Sequence, residues 1–375
     1  MKGKCAIIRT MRIGDFEVRR LGKGTCSVVQ YKGEGAEIII PPSFDKYTPV
    51  SIEATLVKKG ARITKIAIPS TIDEIDEGLF PTLKNLEWFE AEKGPSYRSE
   101  DGVLYDGSFY SLIFYPPKRT EERFSPPRKL GRVASSAFSA GAHFRYFIYS
   151  SKLEEFSALP SQCPDLEAFL PAEDATDYDG VLIKNRKLLF YPPKLSGKSY
   201  TIPDGVEEIA SVSVEPFFPG SVRTVFVPAS LKKGLEHALL NAEKTEVDPS
   251  SVSYRSIDGV LYSWKRKLLS YPGRRKDEVY ITPSGTDRIG EGAFRGSKLR
   301  TLVITPGVTA IEDSAFENSE ITTIYIPQSV TDISLHALYG ARNIKMIAVE
   351  KGSVAEMFLR GEGKSDILSV IPSLF

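Results

Sequence analysis

The chain has 375 residues, with 49 Lys and Arg against 48 Asp and Glu, so its formal net charge is +1. A composition this balanced offers no global field for nucleic acid or an anionic membrane surface. The three cysteines, Cys5, Cys26 and Cys163, are odd in number and form no CxxC pair, which argues against a disulfide framework or a zinc site and leaves them as packing residues.

The first residues, MKGKCAIIRTMRIGDFEVRR, are basic but lack the apolar run that a signal peptide needs, and no later window approaches a membrane span. The chain is therefore expected to be soluble, without membrane insertion. It would be cytoplasmic if Met1 is the native start, and at the cell surface or secreted if a leader has been removed. In LGKGTCSVV, Leu21 to Val29, two glycines stand as in a kinase phosphate loop, but Ser27 replaces the third and no VAIK, HRD or DFG companion follows. Gly22 and Gly24 suit a hairpin turn instead.

YRSEDGVLY, Tyr97 to Tyr105, returns as YRSIDGVLY at Tyr254 to Tyr262 and, shortened, as TDYDGVLI at Thr176 to Ile183. Asp101, Asp179 and Asp258 stand 78 and 79 residues apart, so the phrase marks a long internal period rather than one active site. Each copy runs into an extended stretch closed by Tyr-Pro: SLIFYPP to Pro117, KLLFYPP to Pro193 and KLLSYPG to Gly273. The pair of stretches predicts an antiparallel hairpin or small meander. FEVRRLGKGTCSVVQYKG, near the N-terminus, reads as a diverged fourth copy. DATDYDG, Asp174 to Gly180, has the flavour of a calcium loop, but the EF-hand register puts Ala175 and Arg186 where carboxylates are required.

A shorter period lies inside the long one. IPSTIDEIDEGLF, SPPRKLGRVASSAF and IPDGVEEIASVSV begin at Ile68, Ser125 and Ile202. Three more regular copies follow, in which Ile289, Ile311 and Ile333 are 22 apart. An apolar plug always stands five residues after the central aliphatic: Phe80, Phe138, Val214, Phe294, Phe316 and Leu338. Before each motif comes a short extended segment with apolar positions one, four and six, such as Leu299, Leu302 and Ile304. A proline then ends strand pairing, as at Pro69, Pro203, Pro283, Pro306 and Pro327. A unit of about 22 residues buries too little apolar surface to offset its own ordering, so the units must stack side by side.

IPxxVxxIxxxAF turns interspersed with DGVLYxxxxxxLLxYPP hairpins resemble the BspA-like leucine-rich repeat family of bacterial proteins, over nearly the whole chain. The final IKMIAVEKGSVAEMFLR is similar to the last turn of that family. The resemblance implies a leucine-rich repeat solenoid of short parallel strands in about 22-residue repeats, with inserted antiparallel hairpins and little helix. It implies a noncatalytic protein-binding scaffold or adhesin-like protein, whose partner is a protein of the host or extracellular matrix. Neither nucleic acid nor any cofactor, metal or catalytic residue is called for. The alternative is an enzyme or metal-dependent site built on the hairpins, and a third reading is a purely structural spacer. The expected organisation is 1–96, 97–177, 178–253 and 254–375, each a hairpin with its repeats, in one continuous solenoid.

Ile63, Leu86, Phe144, Val222, Leu299, Ile321 and Ile344 are expected to start the strands, so the residues two and four further on point away from the core. They include Trp88, Tyr146, Ile148, Phe226, Tyr325 and Met346. Trp88, Tyr146, Phe226 and Tyr325 are the candidate partner-binding residues, because exposed rings on a sheet supply large contact area at small entropic cost. His143, His237 and His336 lie far apart in the chain. His336, next to a plug, is expected to be partly buried and hydrogen-bonded. The basic runs Lys265-Arg266-Lys267 and Arg274-Arg275-Lys276 are read as solvated loop charge.

Overall fold

The spacing of 22 is visible in the strand registers of the computed structural model, which describes residues 10–22, 24–59, 61–210 and 216–373. Tyr280 pairs with Leu302 and Leu302 with Ile324, in parallel, so each repeat adds one rung to the same ladder. Cys5 and Val214 lie outside the described residues. The chain packs as two units: one runs to Lys184 and includes Pro192–Leu195, the other comprises Asn185–Tyr191 and the chain from Ser196 on. Each is a β-solenoid, and the one α-helix among the described residues is Val354–Gly361.

In the first unit, an antiparallel meander of Thr10–Ile13, Phe16–Gly22 and Thr25–Tyr31 passes into parallel pairing with Thr48–Ile52 and then Glu74–Ile75. Glu37–Ile39, Lys65–Ile68 and Trp88–Ala91 form a separate parallel sheet. The core lies between the two sheets, where Val28, Ile52 and Ile75 meet Ile38, Ile66 and Phe89. The scheme then repeats. The meander Tyr97–Glu100, Val103–Asp106 and Ser111–Phe114 leads to Arg132–Val133 and Glu155–Phe156, with Arg123–Phe124, Tyr146–Tyr149 and Ala168–Pro171 as the separate sheet.

The second unit holds a three-stranded sheet of Ser199–Thr201, Thr224–Val227 and Lys244–Val247. Its most regular part has the meander Tyr254–Ile257, Val260–Ser263, Lys267–Ser270 continued by Arg288–Ile289, Ala310–Ile311 and Asp332–Ile333. Val279–Ile281, Thr301–Val303, Thr323–Ile326, Met346–Glu350 and Leu368–Ile371 form the matching five-stranded sheet. The plugs fill the space between: Phe294 and Phe316 are fully buried and stack with ring centroids 6.0 Å apart. Their turns are also joined, since Phe294 N–H donates to the Ala315 carbonyl at 2.8 Å.

In its two full copies the thrice-used phrase is the first turn of the meander, and in the shortened copy it is the turn that leads into Leu182–Lys184. Its Asp and Gly both take positive φ (Asp101 49° and Gly102 74°, Asp179 53° and Gly180 82°, Asp258 48° and Gly259 75°), as a two-residue type I′ turn requires. The turn also covers the edge of the neighbouring parallel sheet. Phe89, Phe169 and Thr245 N–H donate to the carbonyls of Gly102, Gly180 and Gly259, each at 2.9 Å. Ala91 and Val247 N–H donate to the Ser99 and Ser256 hydroxyls at 2.9 and 3.1 Å. Backbone donors that an open edge would expose are thus satisfied.

One expectation needs correction. The strands begin two residues after the apolar residues expected to start them, at Lys65, Trp88, Tyr146, Thr224, Thr301, Thr323 and Met346. In the preceding turn two successive N–H groups share one carbonyl, as Arg300 and Thr301 share that of Glu278, so ladder pairing starts only beyond it. Leu299 and its equivalents anchor that turn in the core, fully buried except for Ile344, which is partly buried against it.

Candidate functional site

Each unit has two kinds of outer wall, and they differ chemically. Over the two-residue strands, charges pair across the rungs: Arg132 with Glu155 at 3.2 Å, Lys187 and Lys233 with Glu208 at 2.7 Å each, and Lys267 with Glu312 at 2.6 Å. These walls satisfy themselves. The walls of the longer strands carry the outward rings and most of the exposed aliphatic surface, because strand alternation puts one residue in two outside.

In the first unit, Trp88 is 42% exposed and Ile39 61%. The indole is packed on one side by the meander turn: a Cβ added to Gly102 would lie 2.6 Å from the ring. Tyr146 is half-buried in a charged frame. The Arg123 and Arg145 guanidiniums sit 5.5 and 5.4 Å from its ring centre, and its hydroxyl donates to Glu167 at 3.1 Å. Arg145 grips Glu167 with two bonds of 2.7 and 2.8 Å, which holds that carboxyl below its ordinary pKa. Ile148 lines a cleft of about 290 Å³ with Leu130, Tyr149 and Leu153.

In the second unit, Phe226 is half-buried at a cleft of about 280 Å³ that also shows Thr201, Asp204, Glu246 and Asp248. Tyr325 is half-buried too, in an outward column that register fixes as Ile281, Val303 and Tyr325, ending against the buried Ala348. Val279, Thr301, Thr323 and Met346 form the adjoining column. Val279 and Ile281 are 54% and 57% exposed. Sequence reading passed over both because Asp277 stands where the other strands have their first apolar residue, so the apolar pattern at positions one, four and six is broken there. The outward-inward-outward alternation of Val279, Tyr280 and Ile281 was the available signal.

Trp88, Tyr146, Phe226 and Tyr325 stand in four different sheets, because the covering turns divide the strand series into separate sheets. Their setting is therefore local: a ring on a turn, a ring among charges, a ring at a cleft, and a ring in an apolar column.

Other sequence features find plain roles. Gly22 and Gly24 flank the hairpin between Phe16–Gly22 and Thr25–Tyr31; Lys23 lies outside the described residues. Cys26 and Cys163 are free and buried, and burial raises both thiols. His143 pairs with Asp165 at 2.7 Å on the surface. His336 is exposed, contrary to expectation, because it is the neighbouring Ala337 that turns into the core. Among the described residues, no three His, Cys, Asp or Glu side chains come together as a metal site, and no helix is long and apolar enough to cross a membrane.

No curated protein matches the chain. Similar solved structures include the pneumococcal vaccine antigen PcpA, at 15% identity over 98% of this chain and 86% of that one, with a TM-score of 0.35. A leucine-rich repeat protein from Eubacterium ventriosum shares 15% identity over 92% of this chain and 79% of that one, with a TM-score of 0.38. A leucine rich cell surface protein from Faecalibacterium prausnitzii shares 17% over 97% and 94%, with a TM-score of 0.35. The model of the BspA type leucine rich repeat region matches residues 50–163 and 277–357, in six copies and over more than half of the chain. With its 22-residue rungs, stacked plugs and covering turns, the chain belongs to the BspA-type leucine-rich repeat family.

Proposed function

We propose that this repeat scaffold is a noncatalytic protein-binding module that takes its partner on the outer face of the longer strands. The observation that carries the reading is the apolar column of Ile281, Val303 and Tyr325, flanked by Val279 and Met346 and ending against the buried Ala348. Exposed aliphatic and aromatic side chains aligned on a rigid sheet lose little entropy on docking, and such residues often dominate interface energetics. Trp88 and Phe226 provide further apolar contact points, and Tyr146 a polar one. The adhesins among BspA-like proteins make a host or extracellular-matrix protein the first class of partner to try.

The test compares the chain with its Ile281→Ser, Tyr325→Ser variant in pull-downs from host extracellular extract and on immobilised matrix proteins. Each substitution is expected to weaken capture by about 1 kcal/mol or more while leaving the melting temperature nearly unchanged. Undiminished capture by the folded double variant would show that this face does not bind the partner.

A further inference from the structure

The turns that lead into the apolar column of the second unit carry a surplus of positive charge. Lys276, Lys298, Arg300, Arg342 and Lys345 are all exposed there. Arg300 is neutralised by Glu320 at 2.9 Å. The other four form no ion pair among the described residues; of the acids in these turns, Asp277 and Glu317 are held by Arg275 and Arg295, which leaves Glu278. This differs from the setting of Tyr146, where Arg145 is shared by Glu122 and Glu167.

The placement of the cations matters as much as their number. Val279 pairs with Thr301, so Lys276 and Lys298, each three residues earlier, hold equivalent places in adjacent turns. Adjacent turns are separated by about one strand spacing, ~4.8 Å, where like charges facing each other cost stability unless an anion offsets them. The same rim ends in a cavity of about 490 Å³ at the entry to Met346–Glu350 and Leu368–Ile371. Arg342 and Lys364 line it beside Tyr339 and Ile344. Of its two acids, Glu317 is taken by Arg295 at 2.7 Å, which leaves Asp366 against two cations.

We infer, resting on the function proposed above, that the partner segment docking on this face is acidic as well as apolar. Its aliphatic or aromatic side chains lie on Ile281, Val303 and Tyr325, and its carboxylates face Lys276, Lys298 and Lys345, with an acidic side chain entering the cavity at Arg342 and Lys364. Four rungs span about 14 Å, the reach of four or five extended residues. Apolar contact supplies affinity, while the basic rim sets orientation and speeds encounter, so binding weakens as salt screens the rim.

A random peptide library displayed on phage and panned on the whole chain tests this. The expected yield is peptides in which Asp or Glu stand beside Leu, Phe or Tyr. Synthetic copies should lose about tenfold in affinity to Lys298→Glu with Lys345→Glu, and a comparable amount to Ile281→Ser with Tyr325→Ser. Circular dichroism melts establish that both variants fold. Recovery of basic or uncharged apolar peptides that only the Ile281, Tyr325 variant loses would overturn the acidic assignment and leave the binding face standing. Peptides indifferent to both variants, or none at all, would overturn the two together. Self-association abolished by the Ile281, Tyr325 variant would give the face to a second copy of the chain and likewise overturn the inference.

Discussion

Phe316 shows what a single side chain contributes to a repeat. It is fully buried, stacks on Phe294, and belongs to a turn whose backbone is bonded to its neighbours. Phe316→Ala is expected to cost about 3 to 5 kcal/mol in chemical denaturation, as for other buried rings. A loss below about 1 kcal/mol would mean that the plug does not hold the rungs together. Gly102 is a second residue-scale case, since it has a φ of 74° and Trp88 lies against the place of its missing Cβ. Gly14 has a φ of 59° with open space around it. Ala at Gly14 therefore costs left-handed backbone strain alone, about 1 to 2 kcal/mol. Ala at Gly102 should cost more by the displacement of the indole, and equal losses in the two denaturation curves would show that the Trp88 contact carries no energy.

At the scale of elements, the covering turn is held by an arginine in two of its three copies. Arg119 donates to the Asp101 carbonyl and to Glu121; Arg275 donates to the Asp258 carbonyl and pairs with Asp277 at 2.6 Å. Tyr271 also donates to Asp277, at 2.9 Å. The equivalent position after the shortened phrase is Leu195, which lies against Gly180 and makes no such clamp. Arg275→Leu imitates that copy. It is expected to destabilise the second unit by about 1.5 to 3 kcal/mol, the range for bonds to charged groups, and to speed amide exchange at Thr245. That N–H is the one capped by Gly259. Unchanged exchange at Thr245 would show that the turn covers the sheet edge without the clamp.

Across the whole molecule the buried titratable groups are mostly tyrosines. Tyr262 is pushed up to about 12 by burial, and Tyr105, Tyr115, Tyr254, Tyr271 and Tyr280 are raised as well, burial being the first cause in each. A phenol whose folded pKa exceeds its unfolded value of about 10 favours the fold fully below that value. As pH rises past 10 the unfolded chain ionises first, and the contribution is lost by the time the folded groups ionise. Denaturant midpoints should therefore fall steeply above about pH 10, together with the appearance of tyrosinate absorbance. Ionisation of most tyrosines well before the midpoint shifts would contradict this burial.

The 22-residue spacing of Ile289, Ile311 and Ile333, the plugs at Phe294 and Phe316, and the Asp-Gly turns were legible in sequence because each repeats a local rule. Strand alternation, chain reversal and side-chain size act over a few residues and recur at every rung. Where strand pairing begins was not legible, because the carbonyl shared by Arg300 and Thr301 belongs to another turn, at Glu278. Nor was the fate of each outward ring. Trp88 on Gly102, Tyr146 between two arginines, and Tyr325 beside Val303 all point the same way along a strand, yet their neighbours come from distant parts of the sequence. Period alone determines which side of the strand a residue takes. What stands beside it there is decided when non-local turns stack, and only the tertiary structure records that choice.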